Sequence, residues 1–239
     1  MVNVVIADDN IHFATLLMNY INQKNENIRV CGIAEDGQKT LNLLNSKHNI
    51  DVILLDYKMP IYNGEEVLKR IEEKQKYEKS CIIISGERES IKNITNNEMI
   101  YKVLDKSLSL IDIIENINEL IEYKEQVKFD KQISNKITEE LLYLGYNLSH
   151  NGTTYLIDTI HYMHNNRNKY LDNLTKSVYP IIASRYNKSV HNIKCSIVRE
   201  TNEMYLACKL DTLKNYFHYC EDTKPKVKTV INTILNKLI

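Results

Sequence analysis

The sequence predicts two folds in one chain: an α/β doubly wound, five-stranded parallel sheet, followed by an all-α domain that contains a helix-turn-helix. Three observations predict it. Over residues 1–127, short apolar runs alternate with stretches of helical spacing, whereas beyond residue 128 only helical spacing recurs. The charge balance reverses at the same place: residues 1–127 carry 15 Lys/Arg against 21 Asp/Glu, and residues 128–239 carry 16 against 10. Finally, 239 residues suffice for two modest cores. The division is residues 1–125 for the first domain, 126–132 for a short charged linker, and 133–239 for the second.

Val2–Ala7 reads as a buried strand, and His12–Lys24 as a helix with Phe13, Leu16, Leu17, Tyr20 and Ile21 at helical spacing. Ile28–Ala34 is a second strand, and Asp36 caps a helix through Leu41, Leu43 and Leu44. Val52–Leu55 is continuously apolar, as a central parallel strand covered on both faces must be. Glu65–Glu73 is helical, Cys81–Ile84 and Ile100–Leu104 are the last strands, and Ser109–Asp112 has capping-box form, opening a helix to about Val127. In the second half Ile133, Ile137, Leu141 and Leu144 mark a helix that Gly145 closes. Tyr155, Leu156, Ile160 and Met163 mark another; Leu171–Tyr186, Val190–Ala207 and Leu210–His218 follow, and Lys224-Pro225 opens the last.

Composition excludes several classes. No apolar run reaches the roughly 18–20 residues that cross a bilayer, and the N-terminus has no signal-peptide form, so the expected setting is cytoplasmic, with no membrane partner. The five cysteines lack a CxxC pair and read as reduced thiols; His218, Cys220, Cys208 and His191 match no zinc spacing. The basic second half, with five of the seven histidines, is where a polyanion would bind.

Ligands of an open α/β sheet sit at the carboxyl ends of its strands. Asp8 and Asp9 end the first strand and Asp56 the third, so three carboxylates converge. Such a cluster needs a cation, and its all-oxygen character suits Mg²⁺. One carboxylate beside the metal is a nucleophile toward a phosphoryl group, and Ser85 and Lys106, at the ends of the fourth and fifth strands, are placed to hold the phosphoryl oxygens. In the second half the turn Asn187–Ser189 joins two helices in helix-turn-helix form. Lys188, Ser189, His191, Asn192, Lys194 and Arg199 near the start of the second are the candidate contacts to duplex DNA, lysines for phosphates and Asn192, Lys194 or Arg199 for base edges.

Residues 1–125 resemble response-regulator receiver domains, on Ile6-Ala7-Asp8-Asp9-Asn10, Val52–Asp56, Met59-Pro60 with Gly64, Ser85-Gly86 and Lys106. The resemblance implies Asp56 as phosphoacceptor, Asp8 and Asp9 as metal ligands, Ser85 as switch hydroxyl, Lys106 as the phosphate-pairing cation, and a histidine kinase or phosphotransfer protein as donor. Ser107 stands where that family has Pro, Asn63 replaces its acid, and Val103 takes its aromatic switch position, with Tyr101 expected on the same sheet face one pleat away. Residues 133–238 resemble the effector domain of the stage-zero sporulation response regulator, on Ile137–Gly145, Gly152–Leu156, Leu174–Asn187 with its Tyr179-Pro180 pair, and Thr223-Lys224-Pro225. That resemblance implies a sporulation-linked transcription regulator whose phosphorylation controls homodimerisation, or heterodimerisation with a related regulator, and DNA binding. In its recognition helix Asn192, Cys195 and Val198 fall on the family's Arg positions, Lys194 on an acid and Arg199 on a His, which marks a divergent paralogue. Two other readings compete: an interaction protein that modulates another regulator without specific DNA binding, and a phosphatase using Asp56. Lys58 stands where the phosphatase needs its second acid, and no enzyme activity is expected.

Overall fold

The computed structural model describes residues 1–46, 49–73, 81–85, 97–167, 173–217 and 224–238, with only the backbone of Cys81 and of residues 83–85. Gly86, Leu171, His218, Cys220 and Thr223 lie outside the described residues. The chain divides into two compact units, Met1–Glu125 and Gln126–Ile239.

The first unit is built on five parallel strands, β1 (Val2–Ala7), β2 (Ile28–Ala34), β3 (Val52–Asp56), β4 (Cys81–Ser85) and β5 (Ile100–Asp105), in the order β2-β1-β3-β4-β5. Strand alternation sorts the apolar residues into two layers. Val4, Ile6, Val52 and Leu54 pack with α1 (Ile11–Lys24) and the start of α4 (Leu110–Tyr143). Val5, Ala7, Ile53 and Leu55 pack with α2 (Gly37–Ser46) and α3 (Gly64–Glu72). The order reverses direction between β1 and β3, which opens the crevice where such sheets bind ligands.

Helix starts follow the capping chemistry. The Asn10 side chain accepts from the Phe13 amide (3.1 Å) and Asp36 from that of Lys39 (2.7 Å). Asn63 and Glu66 close a reciprocal box at α3, so the residue that replaces the family's acid has a local task. Ser109 and Asp112 form the box predicted for α4.

That helix is where structure and sequence reading part. The reading ends a helix near Val127 and restarts one near Ile133; the structure runs α4 unbroken through 126–132. Residues 122–132 contain no Gly or Pro and are mostly good helix formers, so propensity carries the helix across a stretch without a buried stripe. A second difference is Tyr101. A bulge in the β4–β5 pairing falls at this residue, where Cys81 pairs with Ile100 but Ile82 with Lys102. Tyr101 therefore packs in the α1/α4 layer, its ring 5.5 Å from that of Tyr123, while Val103 packs in the opposite layer.

The second unit gathers the C-terminal part of α4 with α5 (Asn151–Asn165), α6 (Tyr179–Arg185), α7 (Val190–Ala207), α8 (Leu210–Phe217) and α9 (Val227–Lys237) around one core, and none of its described residues is in a strand. Ile137, Leu141, Leu144, Leu156, Ile160, Ile197, Ile231 and Ile234 are fully buried, each contributing about 1.5–3 kcal/mol of transfer free energy. Gly145, at φ +89°, closes α4, and the Tyr146 amide reaches back to the Leu141 carbonyl (3.0 Å). Before α6, Leu174–Val178 forms a single π-helical turn in which the Tyr179 amide donates to the Leu174 carbonyl. Pro180 thereby falls in the first turn of α6, where a missing N–H costs nothing, rather than mid-helix. Pro225 is buried and α9 starts two residues later, after the extended Lys226. No helix among the described residues is long and apolar enough to cross a membrane.

Candidate functional site

Pairing of Ala7 with Leu55 brings the next residues, Asp8 and Asp56, level at the carboxyl edge of adjacent central strands. Both side chains are buried, at 2% and 3% exposure, while Asp9 is open to solvent. Carboxylate oxygens of all three lie within 4.8 Å of one another. Lys106, immediately after β5, reaches over with Nζ 2.7 Å from Asp56 Oδ2 and 3.2 Å from Asp8 Oδ2. Burial raises the Asp56 carboxyl above its ordinary range, opposed by Lys106 and reinforced by Asp8. Burial works against the Lys106 ammonium, but the bond to Asp56 and the charges of Asp56 and Asp8 outweigh it and raise its pKa.

The Asp8–Asp9–Asp56 donor set fits a hard divalent cation: carboxylate oxygens only, two of them on rigid strand ends, one facing solvent. Ser85 ends β4, its backbone paired with Asp105, beside Asp56 on β3; its side chain is outside the described ones. Ser107, at the family's Pro position, donates from its amide and hydroxyl to Asp105 Oδ1 (2.9 and 2.7 Å), closing a side-chain turn that steadies the backbone next to Lys106. Gly64 is a further part of the site. Its amide donates to the Tyr57 carbonyl (2.8 Å), and a Cβ there would stand 2.9 Å from the Asp56 carbonyl oxygen and 3.1 Å from Tyr57 Cα. Only glycine lets α3 start against the backbone that carries Asp56.

In the second unit α6 and α7 are joined by a turn in which Asn187 takes a left-handed φ of +49° and Ser189 caps α7 by accepting from the Asn192 amide (3.1 Å). Lys188, Ser189, His191, Asn192, Lys194 and Arg199 are all exposed, together with Cys195 and Val198. His191 Nε2 lies 3.4 Å from the Cys195 sulfur. Arg199 is engaged within the chain, Nη2 3.4 Å from Glu200 Oε1 and Nε 3.9 Å from Glu203 Oε1. Glu200, which the sequence reading passed over, is only 2% exposed and meets His150 Nδ1 at 2.8 Å. The signal was its place on the buried stripe Ile193, Ile197, Glu200, Met204. α7 is held from behind by α5 at van der Waals limit: a Cβ on Gly152 would meet Glu200 Cγ at 2.3 Å and the Ser196 carbonyl at 2.6 Å.

Comparison with known families finds two matches. Residues 4–118 match the response regulator receiver domain, and residues 137–238 match the C-terminal domain of the sporulation initiation factor Spo0A. Among solved structures, the chain is similar to the receiver domain of AraT, a response regulator from Geobacillus stearothermophilus, at 28% identity and TM-score 0.46, covering 54% of this chain and 99% of that one. It is also similar to the receiver domain of the Francisella response regulator 1452 (25%, TM-score 0.46, 52% and 99%). A third is TrrA from Thermotoga maritima, solved with Mg(2+)-BeF (23%, TM-score 0.43, 50% and 99%).

Proposed function

The chain belongs to the Spo0A-like sporulation response regulators, a receiver domain joined to a Spo0A-type DNA-binding domain, and from that premise we propose how this transcription regulator is switched. Asp56 is the phosphoacceptor. The observation that carries this is the meeting of Asp8, Asp56 and Lys106 at one strand edge. The Asp56 carboxylate attacks the phosphorus of a phosphohistidine on a histidine kinase or phosphotransfer protein; the P–N bond breaks as the acyl phosphate forms, and the imidazole leaves with a proton. Asp8, Asp9 and Asp56 would hold Mg²⁺, which would supply neutralisation of the charge on a phosphoryl group. Lys106, already at Asp56 Oδ2, moves to pair with the phosphoryl oxygens, and the end of β4 brings Ser85 to them.

Phosphorylation biases the receiver toward a dimerising state, as homodimer or with a related regulator, and places two helical domains on paired half-sites of duplex DNA. Ser189 and the amides of the capped α7 start, with Lys188 and Lys194, meet phosphates; Asn192 faces base edges, and His191 lies beside it. Arg199 contributes only after leaving Glu200 and Glu203.

Phosphate-affinity gels with a small phosphodonor and Mg²⁺ test the reading: wild type shifts and Asp56→Asn does not. Equal shifts in both sink the assignment. A phosphorylated full chain that fails to retard any duplex at low salt turns the reading toward an interaction protein.

A further inference from the structure

We propose that His150, Glu200 and Glu203 form a divalent-cation site of the zinc class between the start of α5 and the middle of α7. The site is separate from the receiver pocket and lies on no residue used to argue phosphorylation.

The site is built on Glu200. A carboxylate at 2% exposure has to be paired or neutralised. Its Oε1 has Arg199 at 3.4 Å, a guanidinium whose side chain is 64% exposed. Its Oε2 faces the His150 Nδ1 at 2.8 Å, and the same nitrogen lies 3.6 Å from Glu203 Oε2. The three ligand atoms fall within 4.8 Å of one another. A tetrahedral ion with bonds of about 2.0–2.1 Å spaces its ligands about 3.3–3.4 Å apart, a value the two distances bracket. One imidazole nitrogen with two carboxylates favours Zn²⁺ over Mg²⁺, and the half-exposed His150 and Glu203 leave a side open for water.

The framework is already fixed. Gly152 lets α5 touch α7 at Glu200 and Ser196, and Thr201, next to Glu200, takes a hydrogen bond from the Tyr146 hydroxyl (3.1 Å). The cation therefore orders no loop, and only the Glu203 side chain has far to settle. Two hydrogen bonds and one charge oppose it: His150 Nδ1 gives up its bond to Glu200 Oε2, and the Arg199 guanidinium stands 3.4 Å from Glu200 Oε1. The Asn147 amide nitrogen faces His150 Nε2 at 3.2 Å, and a metal on Nδ1 puts the ring proton on Nε2, so that amide must turn away. Two hydrogen bonds, one exposed and one part-buried, are lost against three metal bonds. With Glu203 committed to the cation, Arg199 loses its partner at 3.9 Å and is freer toward DNA. This last consequence rests on the DNA-binding reading; the site itself does not.

The test titrates Zn²⁺ into the full chain against a chromophoric chelator, with excess Mg²⁺ to fill the receiver pocket, for wild type, His150→Ala and Glu203→Gln. Wild type is expected to hold one equivalent more tightly than either variant, by at least the roughly ten- to hundredfold that even outer-shell losses cost. Co²⁺ in place of Zn²⁺ should give weak visible bands without a thiolate charge-transfer band. Equal Zn²⁺ affinity in wild type and Glu203→Gln overturns the proposal, as does a thiolate band that assigns the ion to cysteine. Should His150→Ala fail to fold, the exposed Glu203→Gln decides alone. Loss of DNA binding with Zn²⁺ affinity intact would overturn the DNA reading and leave the metal site standing.

Discussion

Lys106→Met removes the ammonium that lies between two buried carboxylates. At an effective dielectric of about 20, separations of 2.7 and 3.2 Å correspond to gross attractions of about 6 and 5 kcal/mol. Most of that is offset by desolvation; breaking one side of a buried pair costs about 3–5 kcal/mol. The Lys106 side chain is 31% exposed, so the lower end applies, about 3 kcal/mol. The sign with pH follows from Asp56, whose folded-state pKa is already raised and rises further without its cation. A carboxyl with a raised folded pKa binds more protons folded than unfolded, so stability falls as pH rises from the ordinary carboxylate range through the folded value. The deficit of the Met variant should therefore be full at pH 8 and shrink as the solution is acidified. Mg²⁺ should refill it, by about 2.7 kcal/mol at a hundred times the dissociation constant. Hydrogen exchange of β1 and β3 peptides in the full chain, in chelator and in Mg²⁺, reads this locally. Equal protection of wild type and variant in chelator at pH 8 would refute the electrostatic account of the pocket.

Two further outcomes are expected. Gly64→Ala should destabilise the receiver by about 1–3 kcal/mol and slow phosphoryl uptake, because the atoms in the way are backbone atoms of Asp56 and Tyr57; an unaffected rate in phosphate-affinity gels would contradict this. Burial pushes the Tyr179 and Tyr186 phenols up to about 12, and Tyr146 and Tyr216 higher still. Their folded forms keep protons that the unfolded chain releases near pH ~10, so this stability is complete below that pH and is lost as pH rises toward 12. The last part of the phenolate absorbance, that of these four among the chain's sixteen tyrosines, should then rise together with loss of helical dichroism; complete ionisation of all sixteen near pH ~10 with helices intact would refute it.

The receiver pocket was legible because strand ends are legible. Apolar runs that stop on Asp8 and Asp56 fix both the elements and the edge where their acids meet. Caps at Asp36, Ser109 and Gly145 were readable for the same reason, since each is a local hydrogen-bonding pattern. The unbroken α4 was not, because Ile113, Ile117 and Leu120 serve one core and Ile133, Ile137 and Leu141 another, and no single apolar stripe joins them. The Tyr101 bulge inserts a residue without changing composition, so period-two counting carried the wrong face past it. Arg199 was legible as a cation on the recognition helix, and its i,i+4 spacing to Glu203 marks that pair in the sequence as well; the contact with the adjacent Glu200 depends on a rotamer no spacing rule supplies.

The π-helical turn before α6 and the proline that follows it depend on each other. Proline in a regular helix interior costs about 3 kcal/mol, a large share of a domain's stability. With Leu174–Val178 widened by one residue, position 180 becomes a first-turn site and the same proline is nearly neutral. Deleting one residue from that turn would return position 180 to a helix interior, where the ring meets the preceding carbonyl and the full cost applies. Turn width and Pro180 are thus coupled, and the deletion should be far better tolerated in a Pro180→Ala background than in the wild type.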